Sequence, residues 1–164
     1  MNGEYVRLTP GQMSRAIDDP MWALDLVREI RAAEDGADLA LTTARYLTTD
    51  KAWQAIAFLL ERAQFPIDIV YGEGQFADDV DWGYGPPGYL TAEQVRAAAE
   101  ALLAINFDII TSGVSRASLA QADVYPQIWD EPDSLDWVRA CYEPLVAFFA
   151  DAAMLGDALL VWLD

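Results

Sequence analysis

Three groups of side chains in these 164 residues have types and spacings suited to chemistry. Asp50, Lys51 and Trp53 open an apolar stretch, where the free N–H groups and dipole of a helix start could hold an anion. The same pattern also reads as a cap followed by a core tryptophan. Asp78, Asp79 and Asp81, with Glu73 nearby, supply carboxylates of the kind that hold Ca²⁺ or Mg²⁺. Their spacing lacks the glycine and the terminal glutamate of an EF-hand loop, and a solvated acidic loop is the simpler reading, so no metal is expected. Trp82, Tyr84, Tyr89, Tyr125 and Trp129 are of the types that anchor interfaces, and equally of the types that fill cores.

Other chemistries are excluded by composition. The chain has no histidine, which removes Ser-His and Cys-His nucleophile pairs, zincin motifs and the commonest general base. Gly83 to Tyr89 is glycine-rich but has neither the spacing nor the lysine of a nucleotide-phosphate loop. With 27 carboxylates, any two can be paired on paper, so a glycosidase-like pair carries no weight without a cleft. Cys141 stands alone in an apolar run and reads as a buried, inert thiol. No cofactor is expected.

Charge narrows the partners. Net charge is -17, with 27 acidic against 10 basic side chains, and residues 65 to 132 hold 11 acids against 2 bases. Binding to nucleic acid or to an anionic membrane needs cations that displace counterions, so neither is expected. A basic protein is the natural partner class, although excess Asp over Glu and a single lysine also fit genome composition or a salty habitat. The single cysteine, the lack of a basic-then-apolar leader and the lack of an apolar run of ~20 residues fit a cytoplasmic protein.

The elements that must position these groups follow from periodicity. Residues 4 to 8 read as a strand, and Thr9-Pro10-Gly11-Gln12 as a capping box opening a short helix. Asp19-Pro20 starts a second helix, with Trp22, Leu26 and Ile30 at i+4 spacing. Leu39 to Thr42 suggests a brief extended piece. Thr49 or Asp50 caps a third helix, which Pro66 ends, and Ile67 to Tyr71 has the β-branched content of a strand. Phe76 to Gly88 reads as a long surface loop. Thr91 to Gln94 is a second capping box, residues 107 to 121 form a weaker helix interrupted near Ser112-Gly113, and Val124 to Trp129 is extended. Asp133 caps the last helix, kinked at Pro144, and Ala158 to Leu163 is a closing strand too apolar for a solvent-facing edge. The expectation is one α+β domain over residues 1 to 164: a small mixed sheet of three to four short strands covered by five to six helices.

These landmarks form a series: Arg7-Leu8-Thr9-Pro10, Asp50-Lys51-Ala52-Trp53, Gly83-Tyr84-Gly85-Pro86, Val124-Tyr125-Pro126 with Trp129, and Gly156-Asp157 before the closing strand. The series resembles the YfbM-like bacterial family of domains of unknown function, over nearly the whole chain. The resemblance implies an α+β domain in a bacterial cytosol and supplies no catalytic residues. That family often has a histidine one turn after the helix tryptophan, and Ala57 stands here. The leading expectation is a non-enzymatic acidic interaction or inhibitor protein, immunity-like, that meets a basic partner. The alternative is a small-ligand binder or enzyme with a pocket near Asp50, Trp53, Tyr84 and Tyr89.

Overall fold

Alternation along two strands divides the molecule. In the computed structural model, which describes residues 1–37, 43–77 and 79–164, strand β1 (Gly3–Leu8) sends Tyr5 into one apolar cluster and Val6 and Leu8 into another. Naming the remaining strands in chain order, β2 is Tyr46–Thr48, β3 Gly74–Gln75, β4 Gly88–Leu90 and β5 Ala158–Leu163. β5 divides as β1 does: Leu159 and Val161 enter the first cluster, and Ala158, Leu160 and Trp162 the second. The strand order is β2-β1-β5-β4-β3, with every pairing antiparallel. β5 is therefore central and covered on both faces, which accounts for its unbroken apolar sequence.

Among the described residues seven α-helices cover the sheet: α1 (Pro10–Asp18), α2 (Pro20–Glu34), α3 (Trp53–Arg62), α4 (Ala92–Leu103), α5 (Phe107–Thr111), α6 (Arg116–Gln121) and α7 (Ser134–Leu155). α1 and α2 lie on one face, where Met13, Ala16, Ala23, Val27 and Ile30 meet Val6, Leu160 and Trp162. On the other face α3 to α7 build the larger core, in which Ile56, Leu59, Val95, Leu145 and Phe149 surround Tyr5 and Leu159. Thr9 and Thr91 each close a full capping box, with side chains accepting from Gln12 and Gln94 N–H at 3.2 Å.

Several expectations need correction. The sheet is antiparallel with five strands among the described residues, rather than mixed with three or four, because β2 and β3 are too short to display a period. The helix count among the described residues rises to seven because residues 107 to 121 split at Ser112-Gly113, where Gly113 turns through φ +72°. Ile67 to Tyr71 is a turn and not a strand. The Asp68 carboxylate accepts from Val70 N–H at 3.1 Å and Tyr71 N–H at 2.9 Å, Asp68 N–H donates to Glu73 at 2.7 Å, and Gly72 adopts φ +81°. Local side-chain bonds to backbone have overridden β propensity.

At the start of α3 neither Thr49 nor Asp50 is a side-chain cap. A 3₁₀ turn (Asp50–Ala52) precedes the helix, Thr49 Oγ1 donates to the Gly3 carbonyl at 3.2 Å, and Asp50 sits at φ +49°. Asp133 likewise occupies the α7 cap position without a side-chain bond. α7 passes through Pro144 as one helix. Val124 to Trp129 contains no strand and is closed by Trp129 Nε1–H donating to the Val124 carbonyl at 2.7 Å. The Phe76 to Gly88 loop is pinned to the protein, with Phe76, Trp82 and Gly88 buried. The expected extended piece at Leu39 to Thr42, and Asp78, lie outside the described residues.

Candidate functional site

A cleft with two carboxylates in its lining opens between the last turns of α3 and the turn that follows it. Ala57, Leu60 and Glu61 form one wall, and Phe65 to Tyr71 the other, around about 410 Å³. The charged side chains lining it are Glu61 and Asp68. Arg62, next in sequence, donates instead to the Ser112 carbonyl at 3.0 Å. Tyr71 closes one end, 42% exposed, and burial together with the Asp68 and Glu61 carboxylates pushes its hydroxyl above the usual tyrosine range.

An aromatic group supports this end. Trp53 meets Tyr71 edge-on at 6.0 Å and Tyr125 at 6.1 Å, and its Nε1–H donates to the Met1 carbonyl at 3.1 Å. The turn is held against the sheet by two glycines. A Cβ on Gly88 would lie 1.8 Å from the Tyr71 carbonyl oxygen, and one on Gly72 would lie 2.6 Å from Tyr89 N, so backbone fills the space side chains would occupy. Beneath them the Tyr5 hydroxyl is buried without a hydrogen-bond partner, and its pKa is raised by burial and by Asp68.

The opposite face of the sheet holds a second polar group. Glu4, 2% exposed, accepts a hydrogen bond from Tyr46 OH, while the Arg31 guanidinium lies over the Tyr46 ring at 5.2 Å and donates to Asp164 at 2.9 Å. Burial raises the Glu4 pKa, against the opposing effects of the Tyr46 bond and the Arg31 charge. Burial works against the Arg31 cation too, and its hydrogen bond to Asp164 helps raise its pKa overall.

The residues singled out in the sequence are scattered by this architecture. Trp53, Trp82 and Trp129 are buried, with Trp53 and Trp129 in the larger core and Trp82 in the smaller. Tyr89 packs on Phe76 at 6.2 Å against the smaller core, Tyr84 is exposed, and Tyr125 is half-buried with its N–H bonded to Gln54 at 2.8 Å. Asp50 is exposed. Trp53 and Tyr89 therefore sit on opposite faces of the sheet, and the structure does not gather Asp50, Trp53, Tyr84 and Tyr89 around one pocket. Asp79 and Asp81 are exposed, Asp81 accepts from Gly83 N–H at 3.1 Å, and Glu73 is engaged by Asp68 N–H. Among the described residues no three carboxylate or thiol groups converge as metal ligands. The Cys141 thiol is half-buried, with its pKa raised by burial and by Asp50.

Glu61, Asp68 and Tyr71, and the set Glu4, Arg31, Tyr46 and Asp164, were not marked by sequence reasoning. Asp68 followed by Tyr71-Gly72 did carry a turn signal, an aspartate two and three residues before the amides it caps. Nothing local marked the second set.

The chain matches the model of DUF1877, a domain of unknown function, over residues 1–162. It belongs to the DUF1877 family. Among solved structures, a protein of unknown function, YfbM from Escherichia coli, shares the fold with a TM-score of 0.66 over 98% of each chain at 17% identity. No curated protein matches. For this DUF1877 member the resemblance to a YfbM-like domain therefore holds. Among its described residues no helix is long and apolar enough to cross a membrane.

Proposed function

We propose that this protein is a non-enzymatic cytoplasmic binding protein whose α3 cleft receives a cationic side chain of a basic partner. The observation that carries this reading is the cleft's lining: Glu61 and Asp68 face apolar walls from Leu60, Phe65 and Ile67, with no basic residue among the lining groups. Apolar walls suit the methylene stem of a lysine or arginine, and two carboxylates with a tyrosine suit its head. The net charge of -17 steers a basic protein toward any face of the molecule, and the cleft would give the encounter a register. Small acidic inhibitors that neutralise basic toxins have this physical character, a likeness of profile only.

A tetra-arginine peptide, titrated calorimetrically at about 0.1 M and 1 M salt, tests the reading, since screening length falls from about 10 Å to ~3 Å over that range. Binding should weaken with salt and fall at least about tenfold in a Glu61→Gln, Asp68→Asn double variant. Asparagine keeps the oxygen that accepts from Val70 and Tyr71, so the turn is retained. An Asp130→Asn, Glu131→Gln control removes the same charge elsewhere. Equal weakening in both doubles would reduce the interaction to unspecific attraction and sink the cleft as the binding site.

A further inference from the structure

The cleft beside α3 holds charge that the molecule itself does not answer. Among the described residues neither Glu61 nor Asp68 is in an ion pair, and Arg62, the nearest cation in sequence, donates to the Ser112 carbonyl instead. The two carboxylates belong to different walls, Glu61 to the last turn of α3 and Asp68 to the turn that follows. They are not equivalent acceptors. Asp68 Oδ1 already accepts from Val70 N–H at 3.1 Å and Tyr71 N–H at 2.9 Å, which fixes the carboxylate and leaves Oδ2 to accept from a ligand. Tyr71 lines the same cleft, and its hydroxyl, raised by burial and then by Asp68 and Glu61, lies within the field of both carboxylates.

We infer, resting on the role proposed for the cleft above, that the side chain it receives is a lysine and not an arginine. A guanidinium is planar and pairs best by a fork onto both oxygens of one carboxylate. Asp68 cannot take that fork while both lone pairs of Oδ1 serve the backbone amides that hold the turn, and a fork on Glu61 engages one wall only. An ammonium carries three donors spread around a point, which suits single acceptors from separate groups: Glu61, Asp68 Oδ2 and the Tyr71 hydroxyl oxygen. The methylene stem then lies along Leu60, Phe65 and Ile67 in a cleft of about 410 Å³. The same acceptors select against a trimethylated ammonium, which keeps the charge and the stem but presents no N–H.

The probes are tetra-lysine, tetra-arginine and tetra-(trimethyl-lysine), equal in charge and blocked at both ends, titrated calorimetrically into the full chain at about 0.1 M salt. Tetra-lysine should bind at least about tenfold more tightly than either of the others. Tyr71→Phe, which keeps the ring against Trp53 and removes the hydroxyl, should narrow the preference for lysine over arginine by about threefold or more. Ala57→Leu, which fills the cleft from the α3 wall with every charge retained, should weaken tetra-lysine about tenfold. Lysine binding that survives both Ala57→Leu and the Glu61→Gln, Asp68→Asn double variant would place the peptide elsewhere and overturn the cleft itself as the site. Arginine or trimethyl-lysine binding within about threefold of lysine, yet lost in the double variant, would overturn the choice of lysine and leave the cleft standing, as would an unchanged preference in Tyr71→Phe. Absence of binding by all three peptides would overturn both.

Discussion

The two faces of the sheet are built from alternate residues of the same strands, yet they differ in kind. The α3 to α7 face buries Tyr5, Leu159 and Val161 under long helices and closes into a large apolar core. The α1 and α2 face has a smaller core, and within it the chain buries the Glu4 carboxylate and leaves the Trp82 Nε1–H without a hydrogen-bond partner. A strand can therefore serve stability with one set of side chains and retain polar groups with the other. The cleft with Glu61 and Asp68 lies at the rim of the larger core, where a helix end and a turn replace close packing.

The largest expected effect tests that difference directly. Phe149→Ala, in the larger core and edge-on to Tyr5 at 6.3 Å, should cost about 3–5 kcal/mol in urea unfolding, and Ile30→Ala in the smaller core about 2 kcal/mol. Equal costs would mean that the two cores are equally well packed, and the contrast would fall. Next, Gly88→Ala should destabilise by about 1–3 kcal/mol by driving Tyr71 off the sheet, and should weaken tetra-arginine binding at the cleft. Full retention of binding would separate the cleft from its glycine support.

Thr9→Ala and Thr91→Ala remove equivalent capping boxes on opposite faces and should each cost about 1 kcal/mol. Thermal unfolding of both variants calibrates how much of any difference between faces comes from packing alone. The smallest expected effect is a gain. Because burial raises the Glu4 pKa, the folded state holds this proton more tightly than the unfolded state. The resulting stabilisation is complete below the ordinary value of 4.5 and is lost as pH rises through the raised one. Glu4→Gln should thus be stabilising at about pH 7 and nearly neutral at about pH 4, which unfolding at the two values would check. Stabilisation that did not depend on pH would show that packing, and not ionisation, distinguishes Glu4.

The parts of this contrast legible in the sequence were those that local chemistry decides. Thr9 and Thr91 announced their caps through the glutamine three residues on, Gly113 marked the break between α5 and α6, and the apolar run at residues 158–163 announced a central strand. β2 was not legible, because Tyr46, Leu47 and Thr48 are strand residues only through pairing with Val6, Tyr5 and Glu4. Ile67 to Tyr71 misled because its β-branched side chains are visible in sequence, whereas the geometry that lets Asp68 cap two amides is not. The polar groups were hidden for the same reason: Glu4, Arg31, Tyr46 and Asp164 converge from four separate elements or chain ends, and no spacing records that. The aromatic residues stood out by type, and Trp53, Trp82 and Trp129 among them turned out to be buried.

The outermost strands, β2 with three residues and β3 with two, close the two edges of a sheet whose centre is β5, the most apolar strand of the molecule. Each presents only a short row of open N–H and C=O groups, too brief to template another chain in register. A sheet with β5 at its centre would otherwise invite self-association when the protein is concentrated or partly unfolded. Lengthening β2 or β3 by a few β-branched residues would therefore be expected to reduce solubility long before it raised stability.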